Sequence, residues 1–285
     1  MADHYQTIRS KYNRLIAYGC SNTMGEELGD HHCLGIGFDE CNQMKKKTGT
    51  VAKFESTIHK GKTVWNWFEQ EGCLAINNRL SYPNQLAQML GLECDNRAMP
   101  GASQEKIYWD MVEDLRDGRI RETDIVLIGN TLPDRITTMQ FENDHVQSTG
   151  INLLSDTISE QQKKMLLDIW PHDQFVWWFW NWLKLTKVFA EQHKLSLMIA
   201  PCTINDLFPK DPALSRVHPS ISDYADKVWR EIEPVVLGRK GLEDFSSDPD
   251  NLQFAGWGHF PAHNHAEFAK YLYQQLKLFG NLIGV

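Results

Sequence analysis

The hexapeptide Asp124-Ile125-Val126-Leu127-Ile128-Gly129 is an almost unbroken apolar run that stops at a glycine. A strand that is apolar on both faces needs cover on both faces, which is the condition of parallel sheets in α/β proteins. Two further runs behave alike: Leu15-Ile16-Ala17-Tyr18, within a strand predicted over 14–20, and Leu195–Ala200, ended by Pro201. Between them apolar residues recur at helical spacing, as Leu86, Met89 and Leu90 do in 82–92 and Ile107, Met111 and Leu115 in 104–115. A long helix is predicted over 158–193, with Phe175, Trp178, Phe179 and Trp182 on its stripe; shorter ones fall at 224–232 and 262–279. A short strand fits 93–96. Strands alternating with helices predict βαβ units and a parallel sheet. Residues 26–78 read as an insertion with little regular structure and 132–157 as a loop-rich excursion. With no evident linker, the expectation is a single domain over 1–285.

Composition narrows the function classes. Of 285 residues 42 % are hydrophobic, which suits a packed core, and the formal charge is −8. No basic stripe with interleaved aromatics occurs, so nucleic acid is not an expected partner. Residues 1–14 lack an apolar signal core and no apolar stretch approaches about 18 residues, so neither a signal peptide nor a membrane span is expected. Intracellular synthesis is the resulting expectation, with later release or incorporation into a particle left open. The six cysteines show no CxxC spacing and read as reduced thiols. His31, His32, Cys33, Cys41, His59 and Cys73 match no compact metal-ligand pattern. His263 and His265, two apart, read as helix-surface residues. Trp177 and Trp180 fall off the main stripe of their helix, which leaves core, cleft and interface open for them.

The chemistry collects where strands end. The first strand runs into Gly19-Cys20-Ser21, and ligands in open α/β sheets sit just past the carboxyl ends of strands. Ser21 could cap a following turn or act as a nucleophile beside backbone N–H donors. Cys20 is the neighbouring alternative, since a helix start lowers a thiol pKa in general. Gly101, in Met99-Pro100-Gly101-Ala102-Ser103, marks either a Pro-Gly turn with Ser103 capping the next helix or a close approach of backbone to ligand. Asn130 and Thr131 follow the Asp124–Gly129 run. His259 precedes Pro261 and the last predicted helix, and His218-Pro219 is a competing loop histidine.

Taken in chain order, these four blocks resemble the SGNH (GDSL-like) hydrolases, a family of esterases and acyl hydrolases. The resemblance implies a three-layer α/β/α fold with a central parallel sheet, flavodoxin-like, and no cofactor or metal. It implies Ser21 as nucleophile and His259 as general base. The Ser21 and Gly101 N–H groups would hold the oxyanion, together with Asn130 or Thr131. Cys20 stands where the family commonly has aspartate, and Thr131 where it has asparagine. Gly256 stands where the family's aspartate precedes the histidine. A main-chain carbonyl, Asp248 or Asp250 is left to orient His259, with Asp250 the candidate acid. The implied substrate is a small acyl ester, with a carbohydrate O-acetyl group within the family's breadth. The alternative is a non-catalytic binding or structural protein on the same scaffold.

Overall fold

In a computed structural model of the chain, which describes residues 8, 10–25, 58–59, 62–63, 78–99, 101–133, 135–142, 145–152, 161, 164, 172–202, 218–245, 260 and 262–278, the apolar hexapeptide is the centre of the sheet. Strand β5 (Asp124–Gly129) is buried at all six positions. It lies between β1 (Arg14–Tyr18) and β8 (Ser196–Ala200), and β4 (Glu93–Asn96) forms the outer strand beyond β1. All three pairings are parallel: Leu15 is level with Cys94 and Ile125, and Leu127 with Met198. Val236 adds a single parallel bridge to Ile199. Counted along the chain, the strand order is 2-1-3-4, the flavodoxin-like winding.

Side chains alternate across the sheet and build two cores. Ile16, Tyr18, Val126, Ile128, Leu197 and Ile199 face α3 (Gln104–Arg116), α4 (His172–Gln192) and α5 (Pro219–Ile232). Leu15, Ala17, Ile125, Leu127, Met198 and Ala200 face α2 (Tyr82–Leu90) and α6 (Ala262–Leu278). This is the expected parallel sheet with helices on both faces. No helix of the described residues is long and apolar enough to cross a membrane.

Helix boundaries follow local chemistry. Pro83 starts α2 and Gly91, at φ 70°, ends it in the left-handed conformation. Ser103 caps α3 by accepting the Lys106 N–H at 3.1 Å. Helix α5 begins at Pro219, five residues before the predicted start, because proline is pre-formed for a first helical turn and His218 caps it.

Two expectations are corrected. Residues 132–157 are not simply loop: Arg135–Glu142 (β6) and His145–Asn152 (β7) form an antiparallel pair with Arg135 opposite Asn152 and Glu142 opposite His145. His265 is not on a helix surface but fully buried, stacked on Tyr82 with Nδ1 accepting the Tyr82 backbone N–H at 3.2 Å. It thus satisfies one of the open donors at the start of α2. Within 26–78, two-residue strands β2 (Ile58–His59) and β3 (Lys62–Thr63) pair antiparallel, while most of that segment lies outside the described residues.

At the outer edge, charge is tied down in a network. Arg14 reaches Asp124 at 2.8 Å and Asp95 at 3.3 Å, and Arg97 pairs with Asp95 at 2.7 Å and Asp114 at 2.5 Å. Buried Asp114 also accepts the Tyr18 hydroxyl at 2.6 Å.

Candidate active site

Ser21 opens a single helical turn, α1 (Ser21–Met24), directly past the carboxyl end of β1. Cys20 is extended and buried, so the chain changes direction between Cys20 and Ser21. The turn is closed by Met24 N–H to Cys20 O and Gly25 N–H to Ser21 O, both 3.0 Å, with Gly25 left-handed at φ 79°. Early N–H groups of a helical turn have no partner within it and point outward.

Thr23 fixes this turn onto the sheet. It is wholly buried, with Oγ1 3.2 Å from the Tyr82 hydroxyl and 3.6 Å from Cys202 Sγ; Tyr82 and Cys202 are themselves 3.0 Å apart. Gly19 and Gly129, past or at the ends of β1 and β5, leave the room it needs. A Cβ on either would run into Thr23 Oγ1, and one on Gly129 would also lie 2.5 Å from the Tyr82 oxygen. Burial, and then the neighbouring Cys202 thiol, hold the Tyr82 phenol well above its ordinary pKa of 10.0, so it remains a neutral hydroxyl. Asn96, at the end of β4, braces the turn from the other side by donating to Thr23 O at 3.1 Å and to Ser81 Oγ at 3.3 Å.

The Gly101 segment is tethered to the same place. Arg97 N–H donates to Ala17 O and Met99 N–H to Gly19 O, at 2.8 and 3.0 Å, continuing the β4–β1 pairing beyond β4. Ala102 N–H then returns to Met99 O at 3.2 Å, with Gly101 at φ 71°. That conformation favours glycine. The turn, the Ser103 cap and the close approach toward the end of β1 coexist in one segment.

Asn130 and Thr131 complete the other flank, both fully buried. Asn130 N–H donates to Ala200 O at 3.2 Å and its amide makes a long 3.5 Å contact to Thr131 O. Among the described residues Thr131 Oγ1 has no hydrogen-bond partner. Buried hydroxyls are normally satisfied, so this is a donor held in reserve. Ser21, Gly101 and Asn130–Thr131 therefore lie past the carboxyl ends of β1, β4 and β5. The switch point of this winding lies between β1 and β5.

His259, Asp248 and Asp250 lie outside the described residues. Their neighbour Phe260 is buried in the core beneath α2 and α6, and α6 starts beside the start of α2, where His265 meets Tyr82. The competing His218 lines a cleft of about 400 Å³ with Asp173, Gln174, Trp177 and Ile221. Its Nδ1 accepts the Ser220 N–H at 3.3 Å as the cap of α5, and its own N–H donates to Asp173. Trp177 lines this cleft, whereas Trp180 is core. Among the described residues no cluster of His, Cys, Asp and Glu could hold a metal ion.

Residue spacing pointed to Ser21 and the two flanks but not to the Thr23–Tyr82–Cys202 lock. Its signal was the pair of strand-end glycines, Gly19 and Gly129, at neighbouring positions of adjacent strands.

No family model matches the chain, and no curated protein matches it. Among solved structures it is similar to a G-D-S-L family protein from Desulfitobacterium hafniense DCB-2, at 12 % identity and a TM-score of 0.45, over 93 % of this chain and 99 % of that one. It is also similar to a carbohydrate esterase family 2 enzyme with a carbohydrate-binding domain from Corynascus thermopiles (Myceliophthora fergusii), at 12 % and 0.44, over 96 % and 67 %. A third is the acetyl xylan esterase Est2A from Butyrivibrio proteoclasticus, at 11 % and 0.43, over 94 % and 64 %. These G-D-S-L and carbohydrate-esterase structures span nearly all of this chain at low identity.

Proposed function

We propose that the chain is a serine esterase of SGNH type acting on a small acyl ester, such as an O-acetyl group on a carbohydrate. One observation carries this reading. Ser21, on a locked turn past β1, is flanked at the switch point by Gly101 on one side and by the unpartnered hydroxyl of Thr131 on the other. A nucleophile bracketed by donors is what acyl transfer needs.

In this mechanism His259 takes the Ser21 proton as Oγ attacks the ester carbonyl. The carbonyl electron pair moves to the oxygen, which the Ser21 and Gly101 N–H groups and the Thr131 hydroxyl, or the Asn130 amide, then hold. Collapse expels the alcohol, protonated by His259, and leaves an acyl-serine. Water, deprotonated by His259, hydrolyses that ester and regenerates Ser21. Asp250 or a main-chain carbonyl orients the imidazole, whose far nitrogen must be held for the near one to act.

A second reading, a non-catalytic protein on the same scaffold, draws on Gly256, which offers no carboxylate three residues before His259. Labelling with a fluorophosphonate probe decides between them. The esterase reading expects covalent labelling of the wild type and none of Ser21→Ala, with 4-nitrophenyl acetate hydrolysis lost in the same variant. A folded wild type that neither labels nor hydrolyses the ester overturns it. Activity lost on Cys20→Ala but kept on Ser21→Ala would move the nucleophile one residue.

A further inference from the structure

Arg135 begins β6, four residues after Thr131, and its N–H turns back to Leu132 O at 3.2 Å. Its guanidinium Nε and Nη1 are shut away from solvent, yet neither has a hydrogen-bond partner among the described residues. Gln104 opens α3 three residues past Gly101. It is 2 % exposed, and neither its amide oxygen nor its amide nitrogen is satisfied. Thr131 Oγ1 makes a third orphan. The connection from β4 to α3 and that from β5 to β6 both emerge at the carboxyl edge of the sheet, and β6 packs on α3. The three orphans thus lie on segments leaving the edge where Ser21 sits.

Buried polar groups are paired in more than about nine cases in ten, so Arg135, Gln104 and Thr131, unsatisfied at the same edge as Asn22 Oδ1, require a cause. The guanidinium requires it most. A lysine or histidine can answer burial by releasing a proton, but a guanidinium does not, and its remedy is an anion. The other orphans at this edge are neutral, amides and a hydroxyl. One fixed positive charge among neutral donors matches a group of single negative charge.

We propose that Arg135 binds a carboxylate on the substrate, so that the favoured ester carries an anionic group on its acyl or alcohol part. This rests on the esterase reading for the word substrate, but the anion site itself does not. Gln104 supplies a neutral donor at the same edge, while the Thr131 hydroxyl stays with the oxyanion. Arg135 is a specificity residue: it grips a part of the substrate remote from the scissile bond and leaves the attack of Ser21 unchanged.

The test uses the full chain, Arg135→Gln and Arg135→Lys, and two readouts. In kinetics, mono-4-nitrophenyl succinate places the carboxylate on the acyl side, and O-acetylated methyl glucuronide places it on the alcohol side. 4-Nitrophenyl acetate and O-acetylated methyl glucoside are their neutral counterparts. One carboxylated ester of the pair should have a KM at least about thirty-fold below its neutral counterpart, as loss of a partner from a buried charge pair implies. Arg135→Gln should erase that advantage, leave neutral-ester turnover within about two-fold, and unfold no earlier than the wild type. Arg135→Lys should keep part of the advantage. Wild-type indifference to the carboxylate, or an equal loss on charged and neutral esters in Arg135→Gln, overturns the proposal. In the second readout, succinate or glucuronate should raise the melting temperature of the wild type and not of Arg135→Gln, with glucose as the neutral control. That shift without any ester hydrolysis would sustain the anion site and sink the esterase. Hydrolysis with no shift and no carboxylate preference would do the reverse.

Discussion

Thr23 Oγ1 lies 3.2 Å from the Tyr82 hydroxyl, and both side chains fill space that a side chain at Gly129 would need. Position 129 is therefore glycine because of Thr23 and Tyr82 rather than because of its backbone conformation. The same wedge stands over Gly19.

The first prediction follows directly. Gly129→Ala and Gly19→Ala should each destabilise by about 1–3 kcal/mol through overpacking, measured by urea unfolding. Their responses to Thr23→Ala should differ. At Gly129 the clash from this residue is with the Thr23 hydroxyl, so shortening Thr23 relieves part of it. At Gly19 an added Cβ also lies 2.5 Å from Thr23 Cβ, so the alanine at 23 still collides. Failure of Thr23→Ala to relieve Gly129→Ala at all would show that Thr23 is not the wedge there.

Alkaline stability tests the buried phenols. Burial, then the Cys202 thiol for Tyr82 and the Asp114 hydrogen bond for Tyr18, raise both above the ordinary value of 10.0. A pKa raised in the fold means that the neutral form is favoured there. The stabilisation is complete below about pH 10, where the unfolded phenol is also neutral. Above it the unfolded chain releases protons that the fold retains, and stability falls by up to about 1.4 kcal/mol per pH unit for each tyrosine. Urea midpoints from pH 8 to 11 should show this slope, reduced in Tyr82→Phe and again in Tyr18→Phe/Tyr82→Phe. An unchanged slope would place the alkaline titration elsewhere.

His265→Phe keeps a ring of similar size but removes the acceptor for the Tyr82 N–H. The orphaned donor should cost about 1–3 kcal/mol in thermal unfolding. His265→Ala should cost more, because a cavity is added. If the phenylalanine variant is as stable as the wild type, the hydrogen bond contributes nothing.

For catalysis, Asp248 and Asp250 replaced together by Asn should reveal what orients His259. A fall in ester turnover close to that of Ser21→Ala would show a carboxylate as third member. Rates within about ten-fold of wild type would show that a main-chain carbonyl suffices, since that partner supplies orientation without a full charge. In either case turnover should rise with pH as His259 gives up its proton to act as the base.

The sheet was legible because its strands are apolar on both faces; β5 spans the predicted Asp124–Gly129 without a shift. The hairpin at 135–152 was not. Its strands, such as Arg-Ile-Thr-Thr-Met-Gln-Phe-Glu, mix polar and apolar residues, and the intervening sequence Asn-Asp is a weaker turn signal than Asn-Gly. His265 was misplaced because it was weighed against His263 rather than against Phe268 and Leu272, with which it shares a helical stripe. That Ser21, Gly101 and Thr131 lie past strand ends was legible because each follows a strand-like run. Arg135 and Gln104 were not, because an unsatisfied buried group exists only once the chain has folded around it.

The outer strand has a consequence for how this protein behaves in a crowded solution. β4 is only four residues long, Glu93-Cys94-Asp95-Asn96, and Asp95 is already held by Arg14 and Arg97. Another copy seeking to add a strand there would meet a stub, and would have to strip water from Glu93 and disturb a settled cluster of charges. Short, charged borders of this kind stop sheets from growing from one molecule into the next. Concentrated or partly unfolded material should therefore clump through segments other than β4.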